Sequence, residues 1–306
     1  MKVLFVGLGS IGQRHLRNLK TLLGDDVDIY ALRRKNADNL LIESGAAIKV
    51  DSLSDHYGFN TFYDVEKAFQ IQPDIVFITN PSSLHIDISL FAAKKGCNLF
   101  IEKPLSNSIK NVHLLKKIVR EKNIYAAVAY QSRFNPSIEL IKKIISTNEF
   151  GEVLFAKFKW GTYLPNHHPY EDFKQSYASR KDLGGGVILG LSHEIDMVRE
   201  LFGVPYNIFA SENKHNSLNL EVEDDVEIKF CYKRNDSNFD VDIFLSYSQV
   251  NEERYFLIEL LNATITNDLL TNEVIILDKR NGDSKSISFN HVTRDDLFIM
   301  ELKSFL

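Results

Sequence analysis

Cysteine is scarce in this chain: only Cys97 and Cys231 occur among 306 residues. Neither belongs to a C-x-x-C pair, so a zinc site or a disulfide framework has no support. Two thiols in a chain of this size fit a reducing compartment. An excess of positive charge is also missing. The chain carries 36 Lys and Arg against 41 Asp and Glu, a formal charge of −5. That leaves no basic footprint for nucleic acid. The two signs are mixed throughout, with no long block of either. Long apolar runs are absent as well. No stretch approaches the ~20 apolar residues of a membrane span, and the apolar run after Met1, Val3 to Val6, is too short for a signal peptide. Neither nucleic acid nor membrane is expected as a partner, and the cytoplasm is the expected location. No internal repeat or low-complexity linker interrupts the chain.

What is present is an ordinary globular composition, 44% apolar and 25% charged, in a chain long enough for two domains. The first 130 or so residues alternate strand and helix patterns. Val3 to Val6 reads as a strand buried on both faces, and Ile11, Leu16, Leu19, Leu22 and Leu23 recur at helical spacing up to Gly24. Val27 to Leu32, Asp74 to Thr79 and Asn98 to Glu102 read as further strands, with a crossover helix around Ile86 to Ala93 ending at Gly96. This predicts an α/β Rossmann domain with a doubly wound parallel sheet over residues 1–128. After about Tyr130, one more helix, Pro136 to Ile145, precedes a region of period two. Val226, Ile228, Phe230 and Tyr232 alternate with charged residues, as do Val241, Ile243, Leu245 and Tyr247. Residues 129–306 are therefore expected to form an α+β domain with a mostly antiparallel sheet, interrupted by a helix from about Leu191 to Leu201.

Gly7-Leu8-Gly9-Ser10-Ile11-Gly12 matches G-x-G-x-x-G between an apolar strand and an apolar-periodic helix. Glycines there let the backbone approach a pyrophosphate at the positive end of the helix. Gly7, Gly9, Ser10, Ile11 and Gly12 are thus candidate cofactor residues. An acid about 20 residues further on would hold the ribose 2′-hydroxyl of NAD. Arg33 and Arg34 stand there instead, with no acid before Asp38. Two arginines suit the 2′-phosphate of NADP. They also suit a solvated loop, which leaves NAD open.

Lys103, in Glu102-Lys103-Pro104, lies at the C-terminal end of a parallel strand, where such sheets place their ligands; a surface lysine is the bland alternative. Four landmarks taken together are informative: GLGSIG from residue 7, NPSSLH at 80–85, EKP at 102–104, and GGG followed by SHEID at 184–196. The set resembles the glucose–fructose oxidoreductase and inositol dehydrogenase (Gfo/Idh/MocA) family. The resemblance implies a large, mostly antiparallel open sheet in the second domain and homo-oligomers, dimers or tetramers, formed through it. It adds Asn80, Pro81, His85, Glu102 and Lys103 to the cofactor residues, makes Lys103 a contact of substrate and nicotinamide, and aligns His193 with the family's catalytic histidine. Chemistry agrees: oxidising a secondary alcohol needs a base for the hydroxyl proton while hydride leaves carbon, and histidine suits that task. The charge of Lys103 would favour a neutral imidazole.

One departure stands out. Many family members carry an aspartate three or four residues before this histidine, where this chain has Gly190 and Leu189. Asp196, one helical turn after His193, or Asp182 is a possible partner for the imidazole. The segment Tyr163 to Asp182 is rich in hydrogen-bonding and aromatic groups, which suits a polyhydroxylated ligand. Tyr163, His168, Tyr177, Arg180 and His193 are candidate substrate residues, and Arg133 joins them by the family pattern. Tyr170 and Lys181 lie in the same segment. His167 and His168 are adjacent, so their side chains diverge and no metal is expected. The stretch from His168 to Asp196 is similar to family members of surface-polysaccharide and modified-sugar pathways, which implies a sugar, amino sugar or nucleotide sugar. Family chains commonly continue beyond a segment like Asp295 to Leu306, which leaves the apolar Leu302, Phe305 and Leu306 without an obvious cover. The expected activity is an NAD(P)-dependent dehydrogenase acting on a CH–OH group. The alternatives are a redox-neutral epimerase, lyase or glycosidase that uses the same cofactor, and a non-catalytic dinucleotide sensor.

Overall fold

A strand buried on both faces must be apolar at every position, and Val3 to Val6 meets that demand. The computed structural model describes residues 1–34, 39–41, 46–167, 171–212, 217–234 and 237–306. The strands at its N-terminal end are β1 (Lys2–Val6), β2 (Asp28–Leu32), β3 (Asn39–Leu41), β4 (Ala47–Lys49), β5 (Asn60–Phe62), β6 (Ile75–Ile78), β7 (Asn98–Glu102) and β8 (Ala126–Ala129). Six of them form one parallel sheet in the order β5-β2-β1-β6-β7-β8, and β3 pairs with β4 alone. The helices α1 (Ser10–Leu23), α2 (Leu53–Tyr57), α3 (Val65–Phe69), α4 (His85–Lys94) and α5 (Val112–Glu121) connect them. Val3 and Phe5 join Leu16 and Leu19 of α1 in one apolar layer, while Leu4 and Val6 join Leu90 and Ala93 of α4 and Leu115 of α5 in the other. Phe5, Phe77 and Phe100 are register partners on three neighbouring strands, and their rings stack at 4.6 and 4.7 Å. Strand order reverses between β1 and β6, which is where open α/β sheets hold ligands at their C-terminal ends.

The second sheet comprises β9 (Val153–Tyr163), β10 (Asn207–Glu212), β11 (Asp225–Arg234), β12 (Ser237–Ser246), β13 (Ser248–Leu260), β14 (Ala263–Asp268), β15 (Glu273–Asp278) and β16 (Ser284–Ser288). Their order is β10-β11-β12-β9-β13-β14-β15-β16, antiparallel except for the β9–β12 pair. The expected alternation is present. Phe256, Ile258 and Leu260 of β13 are buried, while Tyr255 is exposed. The helices of this part are α6 (Pro136–Thr147), the short α7 (Val187–Gly190) and α8 (His193–Phe202). Phe202 of α8 meets the rings of Phe158 and Phe239 from the inner face of the sheet. On the outer face Phe155, Tyr255, Ile275 and Leu277 stand exposed. No helix among the described residues is long and apolar enough to cross a membrane.

The units do not divide at a single point near residue 129. The first unit takes Met1–Ala129, His167–Gly185 and Phe298–Leu306, and the second takes Tyr130–Asn166 and Gly186–Leu297. From His167 onward, the segment rich in polar and aromatic residues thus belongs with the parallel sheet. The Ser82 hydroxyl holds it there by donating to the Leu183 and Gly184 carbonyls at 3.3 and 3.1 Å. Chain order hid the return of the last helix, α9 (Arg294–Phe305). Phe298 and Leu302 are 1% and 0% exposed, and Leu302 joins the layer that contains Phe5 and Phe77. Leu302 and Phe305 are therefore covered, and Leu306 is exposed. Leu302→Ala is expected to cost about 2–5 kcal/mol, the range for emptying a closed core position. A urea midpoint unchanged from wild type would refute this packing.

Candidate active site

The turn after β1 is built for close approach. Gly7 has φ +90°, and a side chain there would meet the Asn80 backbone at 3.0 Å. A Cβ on Gly12 would stand 2.6 Å from the Gly7 carbonyl and 2.8 Å from the Thr79 hydroxyl. That hydroxyl itself donates to the Gly7 carbonyl at 2.7 Å and so ties the turn to the end of β6. Gly9 differs. Nothing among the described residues lies within 4 Å of where its Cβ would be. The α1 N-terminus has no side-chain cap and no acid in its first turn. Its amides therefore remain open to an anion. Across the turn, the buried Asn80 Oδ1 has no hydrogen-bond partner among the described residues. An open N-terminus, an unfilled position at Gly9 and an unsatisfied amide oxygen at the β1/β6 switch fit a dinucleotide.

Arg33 follows β2, its backbone held by an N–H to the Phe62 carbonyl at 3.0 Å, and Arg34 is exposed beside it. Asp38 lies outside the described residues.

Lys103 is half-buried at the C-terminal end of β7, joined to Pro104 by a cis peptide. The side chains of two neighbours turn away from the mouth. Glu102 is 6% exposed; its Oε1 lies 2.6 Å from His15 Nε2, and its Oε2 accepts the Lys103 N–H at 3.0 Å. Both nitrogens of the buried His85 face main-chain carbonyls, Asn80 at 2.7 Å and Pro104 at 2.9 Å. Both residues, expected among the cofactor contacts, make these contacts inside the protein. Tyr177 lies close enough to Glu102 to feel its charge. Desolvation, helped by Glu102 and Glu171, pushes its phenol up to about 12, so it remains a donor. Arg180 donates through Nε and Nη2 to the two Asp182 carboxylate oxygens at 3.0 and 2.6 Å. His168 and Tyr170 lie outside the described residues.

In the second unit, His193 opens α8 and is 3% exposed. The Tyr130 ring meets it edge-on at 5.5 Å, and the Trp160 ring lies 6.3 Å away. Arg254 stacks over Trp160 at 3.9 Å and donates to the buried Glu194 at 2.7 Å. Sequence reasoning missed Trp160 and Arg254. They are register partners on β9 and β13, a pairing that strand patterns far apart in sequence do not disclose. Asp196, considered as a partner for His193, is claimed by Arg133, which donates to both carboxylate oxygens at 2.7 and 2.6 Å. Asp182 is likewise committed to Arg180. Arg133, expected to touch substrate, is thus held in a bidentate pair with a buried carboxylate and has Glu200 3.6 Å away. Position 190 has no room for an acid, since its Cβ would stand 1.6 Å from the Tyr247 hydroxyl. Tyr163 is half-buried at the end of β9. Among the described residues no cluster of metal-binding side chains occurs.

Comparison with known proteins agrees with the motifs. Residues 1–130 match the oxidoreductase family with an NAD-binding Rossmann fold, and residues 138–258 match the GFO/IDH/MocA C-terminal domain. The chain belongs to the GFO/IDH/MocA family. Its members include scyllo-inositol 2-dehydrogenase (NAD(+)) of Bacillus subtilis, 24% identical over 98% of this chain and 83% of that protein. Levoglucosan dehydrogenase of Pseudarthrobacter phenanthrenivorans is 32% identical over 48% of this chain, a match that takes in only 38% of that protein's length. A solved structure titled levoglucosan dehydrogenase in complex with NADH and levoglucosan shares the fold. It has a TM-score of 0.79 at 18% identity and covers 100% of this chain and 88% of its own. By family and fold this GFO/IDH/MocA chain is an NAD-binding oxidoreductase.

The two glycines separate packing from ligand binding. Gly9→Ala is expected to leave the melting temperature unchanged while weakening NADH binding by about tenfold or more, the loss of roughly one hydrogen-bonded phosphate contact. Gly12→Ala is expected to lower both, and equal behaviour of the two variants would contradict the cradle. His85 yields a pH prediction. Burial outweighs its two carbonyl partners and lowers its pKa below 6.5. The unfolded chain then binds the extra proton first, so the stability due to His85 is full above 6.5 and is lost as pH falls towards the lower folded value. Urea midpoints from pH 7 to 5 are expected to decline less in His85→Asn than in wild type. An identical decline would exclude His85 as the source.

Proposed function

We propose that this chain is a dehydrogenase that moves hydride between a nicotinamide dinucleotide and a secondary hydroxyl of a sugar, polyol or nucleotide sugar. The observation that carries the reading is the position of Lys103. It sits at the C-terminal mouth of the parallel sheet that also bears the open phosphate turn, with its main chain braced by Glu102. The bound nicotinamide supplies the hydride chemistry. The protein supplies the rest. We assign removal of the hydroxyl proton to His193 and hydrogen bonding of the substrate oxygen to Lys103. Tyr177 adds a donor that stays protonated at working pH, and Tyr163, Arg180 and His168 are assigned to the same ligand. Arg133 serves by fixing Asp196 on α8. The sugar and polyol dehydrogenases among the relatives support this substrate class, and the resemblance of residues 168–196 to members of surface-polysaccharide and modified-sugar pathways supports a sugar, amino sugar or nucleotide sugar within it.

Arg33 and Arg34 favour NADP over NAD. The exposed Phe155, Tyr255, Ile275 and Leu277 suit a second copy of the chain on the outer face of the large sheet. Two reduced, buried cysteines suit the cytoplasm.

Titration with NADPH and NADH, followed by a panel of polyols and nucleotide sugars, tests the reading, and light scattering of the same preparation reads the assembly. NADPH is expected to bind more tightly, and replacing Arg33 and Arg34 by alanine is expected to remove that margin, worth about 1–3 kcal/mol. Lys103→Met is expected to cut kcat by about a hundredfold or more with cofactor affinity nearly kept. Tighter NADH binding refutes the arginine assignment alone. Cofactor binding without turnover of any polyol or nucleotide sugar refutes the dehydrogenase and leaves a dinucleotide sensor.

A further inference from the structure

His15 lies one turn beyond Gly12 on the helix whose N-terminus faces the phosphate site, yet its side chain points into the core and is 0% exposed. Phe100, Phe298 and Phe77 surround the ring at centroid distances of 4.9, 5.3 and 6.0 Å. Among the described residues its Nε2 approaches Glu102 Oε1 at 2.6 Å, while the buried Nδ1 has no hydrogen-bond partner. Facing a carboxylate, Nε2 carries the N–H, so Glu102 selects the tautomer. The second oxygen of Glu102 accepts the N–H of Lys103 at 3.0 Å. A buried carboxylate is stable only while its donors hold it. Here the donors are a side chain of the phosphate-binding helix and the backbone of the lysine. Apolar residues of similar volume would pack this core at less cost. The pair therefore calls for a reason beyond stability, and its two ends supply one.

We infer that His15 is a positioning residue for Lys103. Through Glu102 it fixes the orientation of the Glu102–Lys103 peptide against α1, so that a dinucleotide held at the α1 N-terminus and the lysine ammonium keep one register. The inference rests on the reading of Lys103 given above. It assigns no contact between His15 and cofactor or substrate.

The test uses the full-length chain with three changes: His15→Leu, His15→Gln, and the double change His15→Leu with Glu102→Met. The measurements are NADH affinity, melting temperature, kcat and KM on the best polyol, and the pH profile of Lys103 reductive methylation read by peptide mass spectrometry. His15→Leu is expected to lower kcat by about ten- to a hundredfold, the scale of a misplacement near 1 Å. NADH affinity is expected to stay within about threefold, because the phosphate turn is untouched. His15→Gln, whose amide can donate to Oε1, is expected to recover most of the loss. The double variant is expected to regain melting temperature through apolar packing and still turn over slowly, with the Lys103 profile displaced. Recovery of kcat together with stability in the double variant would overturn the inference and leave the pair a core brace. If wild type turns over none of the polyols, the dehydrogenase reading fails and the Lys103 profile decides alone: a displaced profile in His15→Leu upholds the positioning, and an unchanged one refutes it.

Discussion

The hydrogen bond from the Thr79 hydroxyl to the Gly7 carbonyl is the contact on which the first unit's chemistry depends. It joins the end of β6 to the turn after β1, the two strands that flank the reversal of strand order. It can form only because Gly12 presents no Cβ to the same pair of oxygens. The close packing that results aims the first turn of α1 at the sheet mouth with its amides unspent. Asn80, the next residue along from Thr79, adds a buried amide oxygen with no hydrogen-bond partner among the described residues. Close backbone packing, not a cluster of charges, shapes this turn.

Charge is handled differently in the second unit. Asp196 and Glu194 stand on α8 beside His193, and both are buried. Each is matched by an arginine from outside the helix, Arg133 and Arg254 respectively. Such pairs add little net stability, but removing one partner costs about 3–5 kcal/mol, because a buried charge is left alone. They fix α8 by geometry at both carboxylates. The stack of Arg254 on Trp160 carries that constraint to an aromatic wall near the imidazole. A histidine held this way gains its orientation from the helix it sits on and the rings around it.

The legible parts of the sequence were those governed by local rules. The apolar run of β1, the glycine turn, the crossover helix over α4, the strand ending at Glu102 and the alternation along β11 and β12 all read directly, since period and turn chemistry act over a few residues. The roles of Glu102 and His85 did not, because a motif records which residues recur and not which way they point. Both turned inward to brace the turn that holds Lys103. The return of α9 to the first unit was equally hidden. Leu302 and Phe305 look like a loose apolar tail until the layer containing Phe5 and Phe77 is seen to need them. The pairing of Trp160 with Arg254 depends on register between strands some 90 residues apart, which no window along the chain can see.

The absent acid before His193 shows the same limit from the other side. Read along the chain, Gly190 is a missing functional group on an otherwise intact motif. In the fold it is a steric necessity, because the buried Tyr247 fills the space its side chain would enter, with the hydroxyl 1.6 Å from the position of a Cβ. Tyr247 follows directly on β12, 1% exposed, with its hydroxyl donating to the Gly186 carbonyl at 3.4 Å, so moving the ring gives up that bond and its core packing. Glycine and tyrosine are therefore one choice made at two positions. Restoring an aspartate at 190 alone would drive a charged side chain into a buried phenol, and the change becomes sterically possible only with a smaller residue at 247.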